Sequence, residues 1–289
     1  MIAGSNAVAI GAIVAVEVAG WAAAPLLAPA AAPLALVAMV AATLPHWGLI
    51  HEALHGHLAQ ETRRNRHLGR LLAVLLLLPF EPVRFGHLMH HRHNRHRRDR
   101  PEIGTGRLAY YANLLGGFYV AEVLAPLIVF LPERGRRAMI ARIWRGEGAE
   151  IGAIRLAALQ AFGSGRRLWR IRLDFAASLG LVAVGFRAYA ASWPALAIVL
   201  ALRGVVISLA DNMAHYGTTR ESAPDGLSFA APRWVSPLLL GHNYHRTHHR
   251  RPDLPWQRLA AAFAASGDRH DRSYLAGALR QLKGPLRAR

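Results

Sequence analysis

An all-α integral membrane protein is the fold class this sequence predicts, on three observations. Its 289 residues are 53% hydrophobic and only 18% charged. The apolar residues gather into runs that approach the roughly 20 residues needed to cross hydrocarbon. The arginines fall between those runs, as loops facing one membrane surface would carry them. About four transmembrane helices in two hairpins, with interfacial helices and a cytosolic histidine-rich cap, satisfy all three. Residues 1–289 are then read as a single membrane-embedded domain.

Taken in order, the first span is expected at roughly residues 7–27, where Glu17 is the one charge, and the second at 34–55, after a turn around Pro29 and Pro33. No Lys or Arg precedes Arg63, so the first run lacks the basic flank of a cleaved signal peptide and is read as retained. Residues 71–78 are too few to cross and are expected along the surface, within an interfacial or re-entrant stretch at 68–80. Residues 63–107 and 134–172 are both densely basic, and one complete crossing between them would separate them. The apolar stretch 108–132 is therefore expected to lie in the interface or to re-enter. A second hairpin, with spans at roughly 173–191 and 193–212, turns around Ser192 and Pro194 and returns the chain to the basic side.

The formal charge of +18 would suggest nucleic acid in a soluble protein. Placed between apolar runs, it reads instead as loops facing anionic lipid on the cytoplasmic side, and no nucleic-acid partner is expected. The chain has no Cys, which removes disulfides, thiolate metal sites and thiol nucleophiles together. Any metal must be held by His and carboxylate.

Sixteen histidines are present, and most fall in four places that this topology brings to one membrane face. At about 100° per residue, positions three and four apart share one face of a helix. "HEALHGH" offers His51 and His55 in that relation; "GHLMHHRHNRH" offers His87, His90 and His91; "DNMAHYG" offers Asp211 and His215; "NYHRTHH" offers His245, His248 and His249. Imidazole suits iron, copper and zinc, and nine such groups exceed what one four- to six-coordinate ion takes, so two metal ions are expected. Asp211 is expected to reach the metals directly or through water. His93 and His96 point away from the His87 face, His57 is turned from His51 and His55, and His242 shares the face of His245 unless Gly241 ends the helix first. His46, His67 and His270 have no partner pattern. Glu52, Asp99, Glu102 and Asp253 are expected as partners of ligand imidazoles or as solvated charges.

These motifs, in this order, resemble the three histidine boxes of the integral-membrane fatty acid desaturase and hydroxylase superfamily, which also contains carotenoid ketolases and hydroxylases. The resemblance extends over most of residues 34–256, from H-x3-H at His51 and His55, through H-x2-HH at His87 to His91, to H-x2-HH at His245 to His249. It implies a non-haem diiron site, two Fe ions held by His51, His55, His87, His90, His91, His215, His245, His248 and His249 at the cytosolic ends of the helices. The position of Asp211 is Asn in animal acyl desaturases, so this chain departs from the pattern there. The implied chemistry takes dioxygen as co-substrate, electrons from an external donor of ferredoxin, rubredoxin or cytochrome type, and hydrogens from a lipid or acyl-chain substrate. Arg92, Arg95, Arg97, Arg98, Arg250 and Arg251 beside the boxes would steer an acidic donor or face lipid headgroups. The competing expectations are a carotenoid or terpenoid ketolase or hydroxylase with the same site and, from another class, a membrane metal transporter. The transporter is disfavoured because its ligands would sit near the membrane midplane rather than at helix ends.

Overall fold

A computed structural model describes residues 4–93, 102–163, 165, 168–218 and 226–286. Its regular structure is helical apart from a two-residue parallel pair, Phe229–Ala230 with Arg272–Ser273, and isolated bridge residues, among them Ile103 paired with Leu286. The all-α class holds. Among the described residues three helical stretches are long and apolar enough to cross a membrane, Gly4–Leu27, Arg107–Phe130 and Leu168–Met213, or up to five spans if each of two bent helix pairs is one. Leu27, Leu34, Val37, Leu179 and Ile198 are exposed around the bundle, the apolar surface a bilayer would cover.

Helix α1 (Gly4–Leu27) contains a π-helical turn at Ala19–Ala23. A Cβ on Gly20 would lie 2.1 Å from the Met39 sulfur, so glycine there lets α1 press directly against α2 (Ala32–Ala41). Between α2 and α3 (Thr43–His55) the axis bends by 48°. Pro45 cannot donate to the carbonyl of Ala41, and Thr43 Oγ1 donates back to the Met39 carbonyl at 3.1 Å, both of which open a helix. The second expected span is therefore a bent pair.

Helices α4 (Thr62–Leu75) and α5 (Phe80–His93) meet at 105°. Residues 71–78 run into this bend, the shape of a broken span or a re-entrant loop. Leu72, Ala73, Leu76 and Leu78 are fully buried. The carbonyl of Leu75 accepts from the Trp21 indole at 3.3 Å, that of Leu76 from the Tyr119 hydroxyl at 2.7 Å, and that of Leu72 faces His46 Nε2 at 2.8 Å. The pattern is apolar enough for a surface face, but neighbouring helices supply partners for the carbonyls left open at the helix end.

Helices α9 (Leu168–Tyr189) and α10 (Trp193–Met213) form an unbroken helical run that folds back at Ala190, whose φ is +45°, so that Gly185 faces Leu196. Helix α6 (Arg107–Phe130) lies along this hairpin. Near its start the Tyr110 hydroxyl accepts from Asn212 at 3.2 Å; near its end the Val129 carbonyl accepts from Arg172 at 2.7 Å. Asn212 and Arg172 stand at the same end of the α9–α10 hairpin, so both ends of α6 lie there too. Its reversal is helped by a break at Leu115 and Gly116, where φ of Gly116 is +114°. Helices α7 (Glu133–Ile143) and α8 (Ala149–Phe162) follow on the outside, with Arg136 donating to the carbonyls of Leu131, Phe162 and Gly163.

The C-terminal part, with α11 (His245–Arg250), α12 (Trp256–Ala265) and α13 (Tyr274–Arg280), caps that same end. The Trp256 backbone N–H donates to Glu52 at 3.1 Å and its indole to Asn6 at 2.9 Å, closing the cap over the ends of α3 and α1.

Candidate metal centre

Four separate pieces of chain deliver histidines to the capped end. Helix α3 presents His51 and His55 on its last turns and stops at Gly56, whose φ of +91° lets the amides of Gly56 and His57 turn back to the carbonyls of Ala53 and Glu52. Helix α5 presents His87, His90 and His91 on one face. His215 lies just past the end of α10, and α11 carries His245, His248 and His249, all buried.

These nine side chains sort into two groups. His51, His55, His87, His91 and His248 form one, His90, His215, His245 and His249 the other, and within each the ligand nitrogens lie within 4.8 Å of one another. Helix α5 feeds both groups, because His87 and His91 are a turn apart while His90 is rotated to the neighbouring side; α11 divides likewise between His248 and its two neighbours. The nitrogens meet through Nε2: His55 to His87 at 2.7 Å, His87 to His91 at 3.1 Å and His91 to His248 at 3.0 Å in the first group. In the second, His245 meets His215 at 2.8 Å and His90 meets His249 at 3.2 Å.

Two imidazole nitrogens about 2.1 Å from one ion and at right angles about it stand about 3.0 Å apart, so the spacing is that of ligands around a common centre. His51 Nε2 is buried and makes no hydrogen bond, an orphaned lone pair a cation would satisfy. Protonation favours the ligand state as well. Burial first, then neighbouring imidazoles, holds His245, His248 and His249 well below the ordinary histidine range, which keeps them neutral. The donor set therefore fits two ions that accept imidazole nitrogen.

A cavity of about 390 Å³ opens beside both groups. His51 and His87 of the first group and His90, His215 and His245 of the second line it, with Val83, Phe85, Phe118 and Ile207 among its apolar walls. Asp211 also lines it, on the last turn of α10, where it accepts from the Trp47 indole; it belongs to neither group of converging nitrogens. Glu122 of α6 faces the same space. His242 stands beside His245, with ring centroids 5.3 Å apart, and its Nδ1 is 3.5 Å from the Tyr274 hydroxyl. His57 Nδ1 faces Glu52 at 3.6 Å, and His93 Nδ1 faces Glu150 of α8 at 2.9 Å. Arg95, His96, Arg97, Arg98 and Asp99 lie outside the described residues.

Sequence reasoning passed over Glu122, hidden in an apolar run, and treated His46 as having no partner. His46 is fully buried against Glu17 and Arg203, and the signal available was a charge of each sign in two separate apolar spans.

A family model described as fatty acid desaturase matches residues 24–276. No curated protein matches the chain.

Proposed function

The chain belongs to the fatty acid desaturase family, and from that premise we propose that it is an oxygen-dependent lipid desaturase acting on an acyl chain held in the cavity beside the nine histidines. The observation that carries this is the convergence of those histidines into two groups that share one partly apolar cavity. An unactivated methylene offers nothing to an acid, base or nucleophile. Two iron ions, reduced by an external donor, would supply with dioxygen the oxidising power that no side chain has. His51, His55, His87, His91 and His248 would hold one ion and His90, His215, His245 and His249 the other.

The protein's own part is positional. Val83, Phe85, Phe118 and Ile207 exclude water and hold the chain against the histidines, which orients one pair of carbons for reaction. Overall, –CH2–CH2–, dioxygen, two electrons and two protons become –CH=CH– and two waters. Asp211 and Glu122 on the cavity wall favour a second outcome from the same site, retention of one oxygen as a hydroxyl or keto group on an acyl chain or a polyene, because each carboxylate can accept from a hydroxyl. The electron donor is proposed to be a separate acidic protein that meets the basic face carrying Arg250 and Arg251, placed on the cytoplasmic side.

Lipid mass spectrometry of a host expressing the wild type beside His248→Ala, with and without oxygen, tests this. Loss of two hydrogens from a lipid, dependent on both the box and oxygen, supports the desaturase; gain of one oxygen supports the second outcome. No oxygen-dependent product in either an ordinary or a carotenoid-producing host overturns both.

A further inference from the structure

Below the histidines lies a second polar cluster that the chemistry does not use. Glu17 of α1, His46 of α3 and Arg203 of α10 are each at most 1% exposed. Arg203 donates to both Glu17 oxygens, at 2.9 and 2.5 Å, and its Nη2 is 3.1 Å from His46 Nδ1. His46 spans Glu17 and the Leu72 carbonyl of α4, at 2.9 and 2.8 Å, and the Trp21 indole donates to Glu17 at 3.1 Å. Four helices are thus tied through three side chains.

A buried ion pair is a poor stabiliser beside apolar residues of equal volume, and what it best supplies is one defined register. An intramembrane charge pair asks what it is for, here the more so because Arg203 Nε is buried without a hydrogen bond. Here it joins α3, which ends in His51 and His55 of the first group, to α10, which leads to His215 of the second. His46 precedes His51 by five residues, about 7.5 Å along the helix. Between this cluster and the histidines stands one more tie between the same two helices, the Trp47 indole donating to Asp211. The bend before α3 would otherwise leave its direction loosely set.

We propose that Glu17, His46 and Arg203 are positioning residues, a clamp that fixes the helix carrying the first metal group in register with the helix leading to the second. The inference rests on the reading that the two groups hold metal. Its test uses the full chain purified in detergent and loaded with Co(II), reading ions per chain, the rate of release to a chelator, and Tm. The double variant Glu17→Leu with Arg203→Met removes both charges together, leaves His46 Nδ1 as the one ring nitrogen that loses its partners, and is expected to keep a Tm within a few degrees of wild type while releasing Co(II) at least about tenfold faster, the scale seen when groups behind metal ligands are removed. Wild-type release at wild-type Tm overturns the proposal and leaves the cluster a stability element. Where the double variant does not fold, Glu17→Gln and Arg203→Lys are read the same way, and unfolding of all three also overturns it. A wild-type chain that takes up no Co(II) instead sinks the metal reading on which the inference stands.

Discussion

The five-and-four division of the histidines makes their loss unequal. Removing His51 or His55 leaves four nitrogens in the first group, whereas removing His90 or His215 leaves three in the second. His215→Ala is therefore expected to drop bound metal by about one ion per chain and His55→Ala by less, in a site where four ligands are the usual closed set. Elemental analysis checks this, and the reverse order would contradict the assignment of residues to groups. Acid should act on the same residues. A histidine held low in the folded chain is neutral there while its unfolded counterpart takes a proton, so stability is full above about 6.5 and is lost as pH falls toward the folded value. Burial holds His242 down to about 4 and His245, His248 and His249 lower than usual. The metal-free chain should then lose Tm steadily from pH 6.5 to 4, and bound metal should come off over the same direction of change. A flat Tm across that window would mean these rings are not buried neutral. All nine histidines were legible in the sequence because spacing of three and four is a local property of a helix. For Asp211 the same rule gave a face shared with His215, and the indole of Trp47, from another helix, decided where its carboxylate rests on the cavity wall.

Helix contacts here depend on a few positions where backbone must come close. At Gly204 of α10 an added Cβ would lie 2.8 Å from the ring of Tyr119, which is pinned by its hydroxyl to the Leu76 carbonyl and by its amide to Ser208 at 3.3 Å. The ring has little room to yield, so Gly204→Ala is expected to destabilise by about 1–3 kcal/mol, the usual cost of overpacking. Combining it with Tyr119→Leu should recover part of that loss, and thermal unfolding of the pair of variants decides it. Equal losses in both would place the strain elsewhere. The sequence showed the apolar runs and the turn at Ser192, since length and composition suffice for those. It did not show that Leu72, Ala73, Leu76 and Leu78 are buried against neighbouring helices, because an apolar helix end has the same pattern whether lipid or protein covers it.

Across the whole molecule the direction in which each helix runs can be read directly, because the chain has no Cys of its own. Single cysteines placed at Ala28, Ser192, Arg107 and Asp253 should divide into two classes toward a water-soluble maleimide. Ala28 and Ser192 belong to the far turns and should react from one side; Arg107 and Asp253 belong to the capped end and should react from the other. A cysteine at Glu133, just past α6, should join Arg107, because both ends of α6 lie at the capped end; reaction from the side of Ala28 would contradict that reversal. Charge also acts at this scale. Arg250→Glu with Arg251→Glu should slow turnover driven by an acidic donor several-fold at low salt, with metal content unchanged, as steering predicts. Turnover indifferent to both charge and salt would leave these arginines to lipid headgroups. The two pair with Asp268 and Asp253 at 3.5 and 2.9 Å, so the reversal should be checked by Tm as well.

By itself the sequence determined that this is a helical membrane protein, which histidines share helical faces, and that no thiol takes part. Each of these follows from composition or from spacing within one helix, where geometry is set by the backbone alone. Only the tertiary structure decided how nine histidines divide into two groups, where Asp211 and Glu122 face, and that Glu17, His46 and Arg203 meet. Those are contacts between helices far apart in the chain, set by which small residues let the backbones approach and which buried polar groups must find a partner.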